Sequence, residues 1–165
     1  MNTVLRYPGS KWRIADQLVS NIPEHKSYLE PYFGSGAVLF NKPPSPIETI
    51  NDLDDDVINL FQCIRNHSQQ LAAMIAAIPY SRKVYDSQFS IVSKDPVDKA
   101  CAFLIKCWQG YGFKTSGIKT GWKRDKTGRE RAYNLSNWYH LPEWIEEIAE
   151  RLRNIQIEHK PALDL

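Results

Sequence analysis

The sequence has little cysteine, no long apolar run and almost no net charge. Its three cysteines, Cys63, Cys101 and Cys107, are odd in number and show no Cys-x-x-Cys spacing, which argues against a disulfide framework or a zinc site. No stretch approaches the length of a membrane span, and the first six residues lack a signal-peptide core. We therefore expect a cytoplasmic protein without a metal site or a membrane partner.

The composition is that of a globular protein. Of 165 residues, 42% are hydrophobic and 24% are charged, which is enough for a core and ordinary for a protein in water. The formal net charge of +2 identifies no class of partner. Repeats and low-complexity tracts are absent, so the length predicts one domain with a small subdomain or a long insertion.

A glycine-containing stretch over residues 30–40 reads Glu-Pro-Tyr-Phe-Gly-Ser-Gly-Ala-Val-Leu-Phe. We expect a strand before it and a helix from Ala37, with Gly34 and Gly36 at the turn between them. Glycines there permit positive φ and let the backbone approach a ligand. The preceding Glu30 disfavours phosphate and suits a ligand with a cation, such as an amino-acid ammonium.

Of two other interpretations of this stretch, one is disfavoured and one stays open. The third glycine of a dinucleotide fingerprint would fall at residue 39, where the sequence has Leu39, so binding of NAD is a poor fit. A tight turn in some other α/β domain remains an alternative, since short glycine motifs recur by chance.

A second acidic site follows the predicted strand over residues 47–53. Asp52 lies about 20 residues past the glycine turn, a spacing at which a carboxylate can accept hydrogen bonds from ribose hydroxyls. Helix capping is the alternative role for Asp52, and we expect only capping from Asp54, Asp55 and Asp56.

The N-terminal stretch Arg-Tyr-Pro-Gly-Ser-Lys, residues 6–11, predicts a turn at Pro8-Gly9 and a helix capped by Ser10. That helix would run to about Ser20 with an apolar stripe of Ile14, Leu18 and Val19. The tripeptide Gly-Ser-Lys is similar to the end of a phosphate-binding loop, but the required glycine spacing is absent. A nucleotide-phosphate enzyme is therefore a distant alternative.

The remaining elements alternate helices with a last strand. Apolar periodicity predicts helices over residues 57–64, 71–78, 80–93, 97–108 and 143–153, and a strand over 155–159. Together with the two earlier strands, this pattern indicates an α/β fold.

A basic and aromatic segment interrupts the domain between Lys106 and Tyr133. It carries a net charge of +6 and five glycines, with Trp108, Tyr111, Phe113, Trp122 and Tyr133 interleaved. Lysine and arginine neutralise phosphates, and aromatic rings stack on bases. The candidate DNA-binding residues are Lys114, Lys119, Lys123, Arg124, Lys126, Arg129 and Arg131. A solvated loop is the alternative, although the segment is too long for an idle connection.

Taken together, residues 6–11, 30–40 and 51–61 resemble three ordered motifs of the DNA adenine-N6 methyltransferases of the DNA adenine methylase type. The resemblance implies a Rossmann-like methyltransferase fold, S-adenosylmethionine as cofactor, double-stranded DNA as partner, and a role in DNA methylation or restriction–modification. Tyr7, Gly9 and Lys11 would contact the cofactor's methionine end and Glu30 would lie under the glycine turn. Phe33, Gly34 and Gly36 would lie beside the cofactor, and Asp52 would hold its ribose.

The resemblance also implies a division of the chain and a missing part. Residues 1–60 and 143–165 would form the methyltransferase domain, and residues 61–142 a DNA-recognition insertion. The family's catalytic Asp-Pro-Pro-Tyr is absent from the sequence, so we assign no catalytic residue. We expect the N-terminal part of a longer enzyme or, alternatively, a remnant that binds DNA or cofactor without chemistry. Its incomplete sheet would expose an unpaired edge, which predicts self-association.

Overall fold

The computed structural model describes residues 1–90, 92–113, 117–124 and 134–165. Its strands are β1 (Ser27–Glu30), β2 (Ile47–Asn51) and β3 (Gln156–Glu158). Its α-helices are α1 (Ala15–Ser20), α2 (Asp55–Ala77), α3 (Arg82–Ser87), α4 (Pro96–Gln109) and α5 (Asn134–Leu152). Short 3-10 turns occupy Trp12–Ile14 and Ala162–Asp164.

The three strands form a parallel sheet in the order β1-β2-β3, which confirms the α/β class. Leu29 lies opposite Thr49, and Thr49 lies opposite Gln156. Within the described residues, the outer edges of β1 and β3 pair with no further strand. Because all strands are parallel, their carboxyl ends share one edge of the sheet.

The helices cover one face of this sheet. Helix α2 packs on both α4 and α5, and Ile50 of β2 is completely buried on the covered side. On the opposite face, 45% of Leu29 and 51% of Ile47 are exposed. Parallel sheets are normally covered on both faces, so the described residues build only one of the two expected helical layers.

Local sequence signals explain where the long helices begin. Asp54 caps α2 by accepting from the backbone N–H of Asp56, and Asp95 caps α4 by accepting from Val97 and Asp98. Pro96 follows at the first position of α4, where its fixed φ suits a helix start. Near His67, where we expected a break between two helices, α2 continues through a kink (φ −138°, ψ 30°).

Several predicted elements differ from the structure. The short helix expected from Ala37 is only a turn, because Pro43 and Pro44, which follow it, cannot continue a helix. The predicted helix over residues 80–93 is helical only over α3, and α5 begins nine residues before the predicted start. Ile14 and Leu18 are exposed rather than buried, since the short α1 presses no apolar stripe into the core.

A buried ion network ties α5 to the sheet. Lys42 Nζ lies 2.6 Å from Glu48 Oε1, and Arg151 donates to both oxygens of the same carboxylate. Lys42 also donates to the carbonyl of Pro43 and to Ser45 Oγ, so its three donors are satisfied. Such a network holds the return helix against β2, because losing one partner would leave charge buried.

Helix α2 runs across the boundary that the sequence places at residue 60, so the division into three segments stays a prediction. None of the helices in the described part of the chain has the length and apolar character that a membrane span requires. No three His, Cys, Asp or Glu side chains are grouped there as a set of metal ligands.

Candidate cofactor and nucleic-acid site

Two carboxylates hold the glycine turn at the carboxyl edge of the sheet. Glu30 ends β1, and its Oε2 accepts from the backbone N–H of Leu39 at 3.1 Å. Asp52 follows β2, and its Oδ2 accepts from the backbone N–H of Gly34 at 2.7 Å. The structure therefore brings the two predicted acids to opposite ends of one turn.

The glycines of this turn adopt the conformations expected of them. Gly34 has φ 51° and Gly36 has φ 67°, both in the region that side chains disfavour. A Cβ on Gly36 would lie 2.3 Å from a ring carbon of Phe40 and 2.5 Å from one of Phe33. A Cβ on Gly34 would lie 3.3 Å from the ring of Tyr7. Close packing as well as backbone conformation thus requires glycine at position 36.

An aromatic cluster supports the turn from below. The ring of Phe33 packs edge-on against Phe61 of α2, with centroids 4.7 Å apart, and against Phe40 at 5.7 Å. Phe33 is almost fully buried. Its ring therefore anchors the turn to the core, and only part of it is available to a ligand.

A hollow of about 110 Å³ opens beside the turn. It is lined by six of the eight predicted cofactor residues, namely Tyr7, Gly9, Lys11, Glu30, Phe33 and Gly34, whereas Gly36 and Asp52 are not in its lining. Sites for whole small molecules usually measure about 300 to 1,000 Å³. This hollow has room for one end of a ligand, such as an amino-acid group.

Glu30 is partly buried beside this hollow and forms no ion pair within 4 Å among the described residues. Its Oε2 accepts from the Tyr28 hydroxyl at 3.0 Å as well as from Leu39. Burial raises the pKa of Glu30 to about 7, although these two hydrogen bonds and the charge of Lys42 act in the opposite direction. Burial and the neighbouring Glu30 likewise raise the pKa of Tyr28.

The N-terminal stretch forms the opposite wall of the hollow. The Tyr7 hydroxyl donates to Asp54 Oδ2 at 2.7 Å, and burial together with this carboxylate raises the pKa of Tyr7. Lys11 Nζ donates to the carbonyl of Gly9 at 2.7 Å. Ser10 was predicted to cap a helix, but its Oγ instead lies 2.8 Å from Ser35 Oγ, which ties this stretch to the glycine turn.

Asp52 uses both carboxylate oxygens within the protein. Oδ2 binds Gly34, and Oδ1 accepts from the backbone N–H of Asp54 at 3.0 Å. Each carboxylate oxygen can accept a second hydrogen bond, so a ligand hydroxyl could still donate to Asp52. His159 lies at the same edge, with Nε2 at 3.3 Å from the Leu53 carbonyl.

A larger groove of about 720 Å³ adjoins the hollow. It shares Tyr7, Pro8 and Ser10 with the hollow. Three cationic side chains and two further aromatic rings line it, namely Arg6, Arg13, Lys123, Trp12 and Phe113. The indole N–H of Trp12 is buried without a hydrogen-bond partner in the described structure. Cations, ring faces and an unused donor suit an anionic ligand that carries bases.

The structure describes three of the seven predicted DNA-binding residues. Lys123 lines the groove, and Arg124 is exposed. Lys119 forms an exposed ion pair with Asp86 at 2.7 Å, so a phosphate would have to compete for its ammonium. Lys114, Lys126, Arg129 and Arg131 lie outside the described residues.

Comparison with known proteins identifies the family. The family model described as "D12 class N6 adenine-specific DNA methyltransferase" matches residues 7–162, which is nearly the whole chain. The chain belongs to this family. The match begins at the groove, includes the glycine turn and both carboxylates, and ends just after β3. The resemblance inferred from the three motifs is therefore confirmed.

Two curated relatives are similar over part of the chain. "DNA N-6-adenine-methyltransferase" of Escherichia phage P1 is 26% identical over 117 residues, 66% of this chain and 15% of the relative. "Type II methyltransferase M.MjaIII" of Methanocaldococcus jannaschii is 28% identical over 83 residues, 45% of this chain and 29% of the relative. This D12-family chain thus spans a minor part of either relative.

Sequence reasoning missed several residues of the site in this family member. Asp54 was assigned to capping alone, yet its second oxygen holds Tyr7. Tyr28 lies on a predicted strand, and its alternation with Glu30 could have placed both on one face. Arg13 and Trp12 gave no signal, because a lone cation and a lone ring at a helix start are common.

Proposed function

We propose that this chain binds S-adenosylmethionine at the glycine turn and double-stranded DNA beside it. It would serve an enzyme that transfers the cofactor's methyl group to adenine N6. The proposal includes a Rossmann-like methyltransferase fold, with residues 61–142 as the DNA-recognition insertion. The observation that carries it is the pair of carboxylates, Glu30 and Asp52, on one positive-φ turn at the carboxyl edge of a parallel sheet.

The residues of the hollow fit the amino-acid end of the cofactor. Glu30 is a partly buried carboxyl that forms no ion pair among the described residues, and a ligand ammonium would supply that partner. Tyr7, Gly9 and Lys11 close the opposite wall of the hollow. Phe33, Gly34 and Gly36 shape the turn beside which the cofactor would lie, and Asp52 retains acceptor capacity for ribose hydroxyls. The cofactor, when bound, supplies the methyl group as a sulfonium.

The DNA surface would comprise the groove and the basic segment. Arg6, Arg13 and Lys123 would meet phosphates, and Trp12 would present a ring to an extruded base next to the hollow. Lys119 and Arg124 would add contacts along the same segment. We assign no catalytic residue, because the sequence contains no Asp-Pro-Pro-Tyr.

Calorimetry with S-adenosylmethionine on the 165-residue chain tests this proposal. Saturable binding that Asp52→Ala weakens at least about tenfold supports it, since one charge-assisted hydrogen bond is worth about 1.5 to 3 kcal/mol. Asp16→Ala, on the exposed face of α1, is the matched control and should leave affinity unchanged. Binding of a DNA duplex with no binding of cofactor would favour the second candidate, a DNA-binding remnant. Turnover in a methyl-transfer assay would instead show that these 165 residues contain the catalytic groups.

Self-association through the open sheet is a separate part of the proposal. The outer edge of β1 is unpaired in the described structure, and Leu29 and Ile47 expose apolar surface beside it. Sedimentation velocity should show a dimer that dissociates on dilution and that Leu29→Lys weakens. A monomer at every concentration would refute this part alone.

A further inference from the structure

Residues 117–124, one of the two described stretches of the basic segment, are fixed to the scaffold through their main chain. Trp122 forms an antiparallel bridge with Gly110 at the end of α4. Two backbone hydrogen bonds flank the bridge: Tyr111 N–H donates to the Gly121 carbonyl at 2.7 Å, and Lys123 N–H to the Gln109 carbonyl at 2.8 Å. These bonds set the register of residues 117–124 against the end of α4.

Two tyrosine hydroxyls also bind the backbone of residues 117–124. The hydroxyl of Tyr85 donates to the Thr120 carbonyl at 2.9 Å, and the hydroxyl of Tyr80 donates to the Lys123 carbonyl at 2.9 Å. Tyr85 is fully buried on α3, so its hydroxyl position is set by the core. Both contacts go to backbone carbonyls, so they fix the path of the chain without using the side chains of its lysines and arginine.

Packing around the two hydroxyls leaves little freedom. The indole of Trp122 packs against the Tyr80 ring, with centroids 5.7 Å apart, and the Arg82 guanidinium lies 5.0 Å from the indole centroid. A Cβ on Gly110 would lie 3.0 Å from the Tyr85 hydroxyl and 2.6 Å from the Lys106 carbonyl. A methyl group at position 110 would therefore clash with the Lys106 carbonyl and crowd the Tyr85 hydroxyl.

From this geometry we infer that Tyr80 and Tyr85 are positioning residues for DNA binding, holding segment 117–124 in its binding conformation before DNA arrives. The inference rests on the proposed DNA binding. Ordering a loop costs conformational entropy at each residue, and a segment ordered in advance spares the complex that cost. Lys123, which lines the groove, and its neighbour Arg124 are the cations that this arrangement presents.

The test compares the variant Tyr80→Phe/Tyr85→Phe with Lys123→Ala in binding to a fluorescent DNA duplex over a range of salt. Loss of both hydroxyls should weaken affinity about tenfold. The slope of log affinity against log salt should stay that of the wild type, because the phosphate contacts are retained. Lys123→Ala should weaken affinity and also make that slope shallower by about one, the amount expected for the loss of one phosphate contact. Tyr139→Phe, an exposed tyrosine on α5, is the matched control.

A second measurement works without DNA. Trypsin should cut after Lys123 and Arg124 faster in the double variant and in Gly110→Ala, while cofactor affinity stays unchanged as evidence of folding. Unchanged DNA affinity and unchanged cleavage in the double variant would overturn the inference. A parallel loss of affinity and salt slope would also overturn it, since the tyrosines would then act by direct contact. A wild-type chain without DNA affinity would overturn the proposed DNA binding itself.

Discussion

The glycine turn (residues 30–40) and residues 117–124 of the basic segment are both held through their backbones, but by opposite kinds of hydrogen bond. In the turn, carboxylates accept from backbone N–H groups; in the segment, tyrosine hydroxyls donate to backbone carbonyls. Both contain a glycine of nearly equal φ, 67° at Gly36 and 72° at Gly117. Of these two glycines, Gly36 is enclosed by side chains, whereas a Cβ on Gly117 would meet no atom of the described residues within 4 Å.

This difference separates two ways of building a site. The turn is part of the core, so its residues are constrained by packing. Its ligand would therefore enter a hollow that is already formed. The segment is attached to the core through its backbone and Trp122 but lies at the surface, so its exposed side chains can vary at little cost to folding. We expect substitutions at the packed glycine of the turn to act on stability, and substitutions of exposed cations in the segment to act on binding.

The largest expected effect is the difference in unfolding free energy between the variants Gly36→Ala and Gly117→Ala. Both place a methyl group at positive φ, but only the first drives it into the rings of Phe33 and Phe40. Gly36→Ala should lower the free energy of unfolding by about 2 to 4 kcal/mol and Gly117→Ala by about 1 kcal/mol, measured by urea denaturation. Equal losses would mean that the turn is not packed as described.

The next largest effect compares two lysine ion pairs. Lys42→Met removes a buried partner of Glu48 and should cost about 2 to 3 kcal/mol of unfolding free energy. Lys119→Met breaks the exposed pair with Asp86 and should cost less than about 0.5 kcal/mol. Urea unfolding of both variants measures this difference. A Lys42→Met variant as stable as the wild type would show that Arg151 alone satisfies Glu48.

A smaller, pH-dependent effect is expected at Glu30. Its pKa is about 7 in the folded protein and near 4.5 when exposed, so the folded state retains a proton that the unfolded state has lost. Stability therefore falls as pH rises from about 4.5 to 7. Glu30→Gln should raise the unfolding free energy by about 2 kcal/mol near pH 8 and by little near pH 5. Glu147→Gln, exposed on α5, should change neither value.

The sequence predicted the features whose causes are local. Positive φ at Gly34 and Gly36, the cap at Asp54 and the strand before Glu30 all follow from residues close in the chain. The convergence of Glu30 and Asp52 could also be predicted, because parallel strands bring their carboxyl ends together.

Features that depend on distant partners were not predictable. No pattern near Tyr85 indicates that its hydroxyl meets Thr120, 35 residues away. Leu18 is exposed because α1 makes few contacts with the other described elements, and the apolar spacing of the helix could not show this.

The most direct test of the proposed site is the pH dependence of S-adenosylmethionine affinity between about pH 5.5 and pH 7. Over this range the ligand's α-amino group stays protonated, since its ordinary pKa lies near 8. If Glu30 receives the ammonium, wild-type affinity should rise about tenfold as the carboxyl loses its proton, and Glu30→Gln should bind weakly and without pH dependence. A flat wild-type profile, or a Glu30→Gln variant that binds as well as the wild type, would contradict the account.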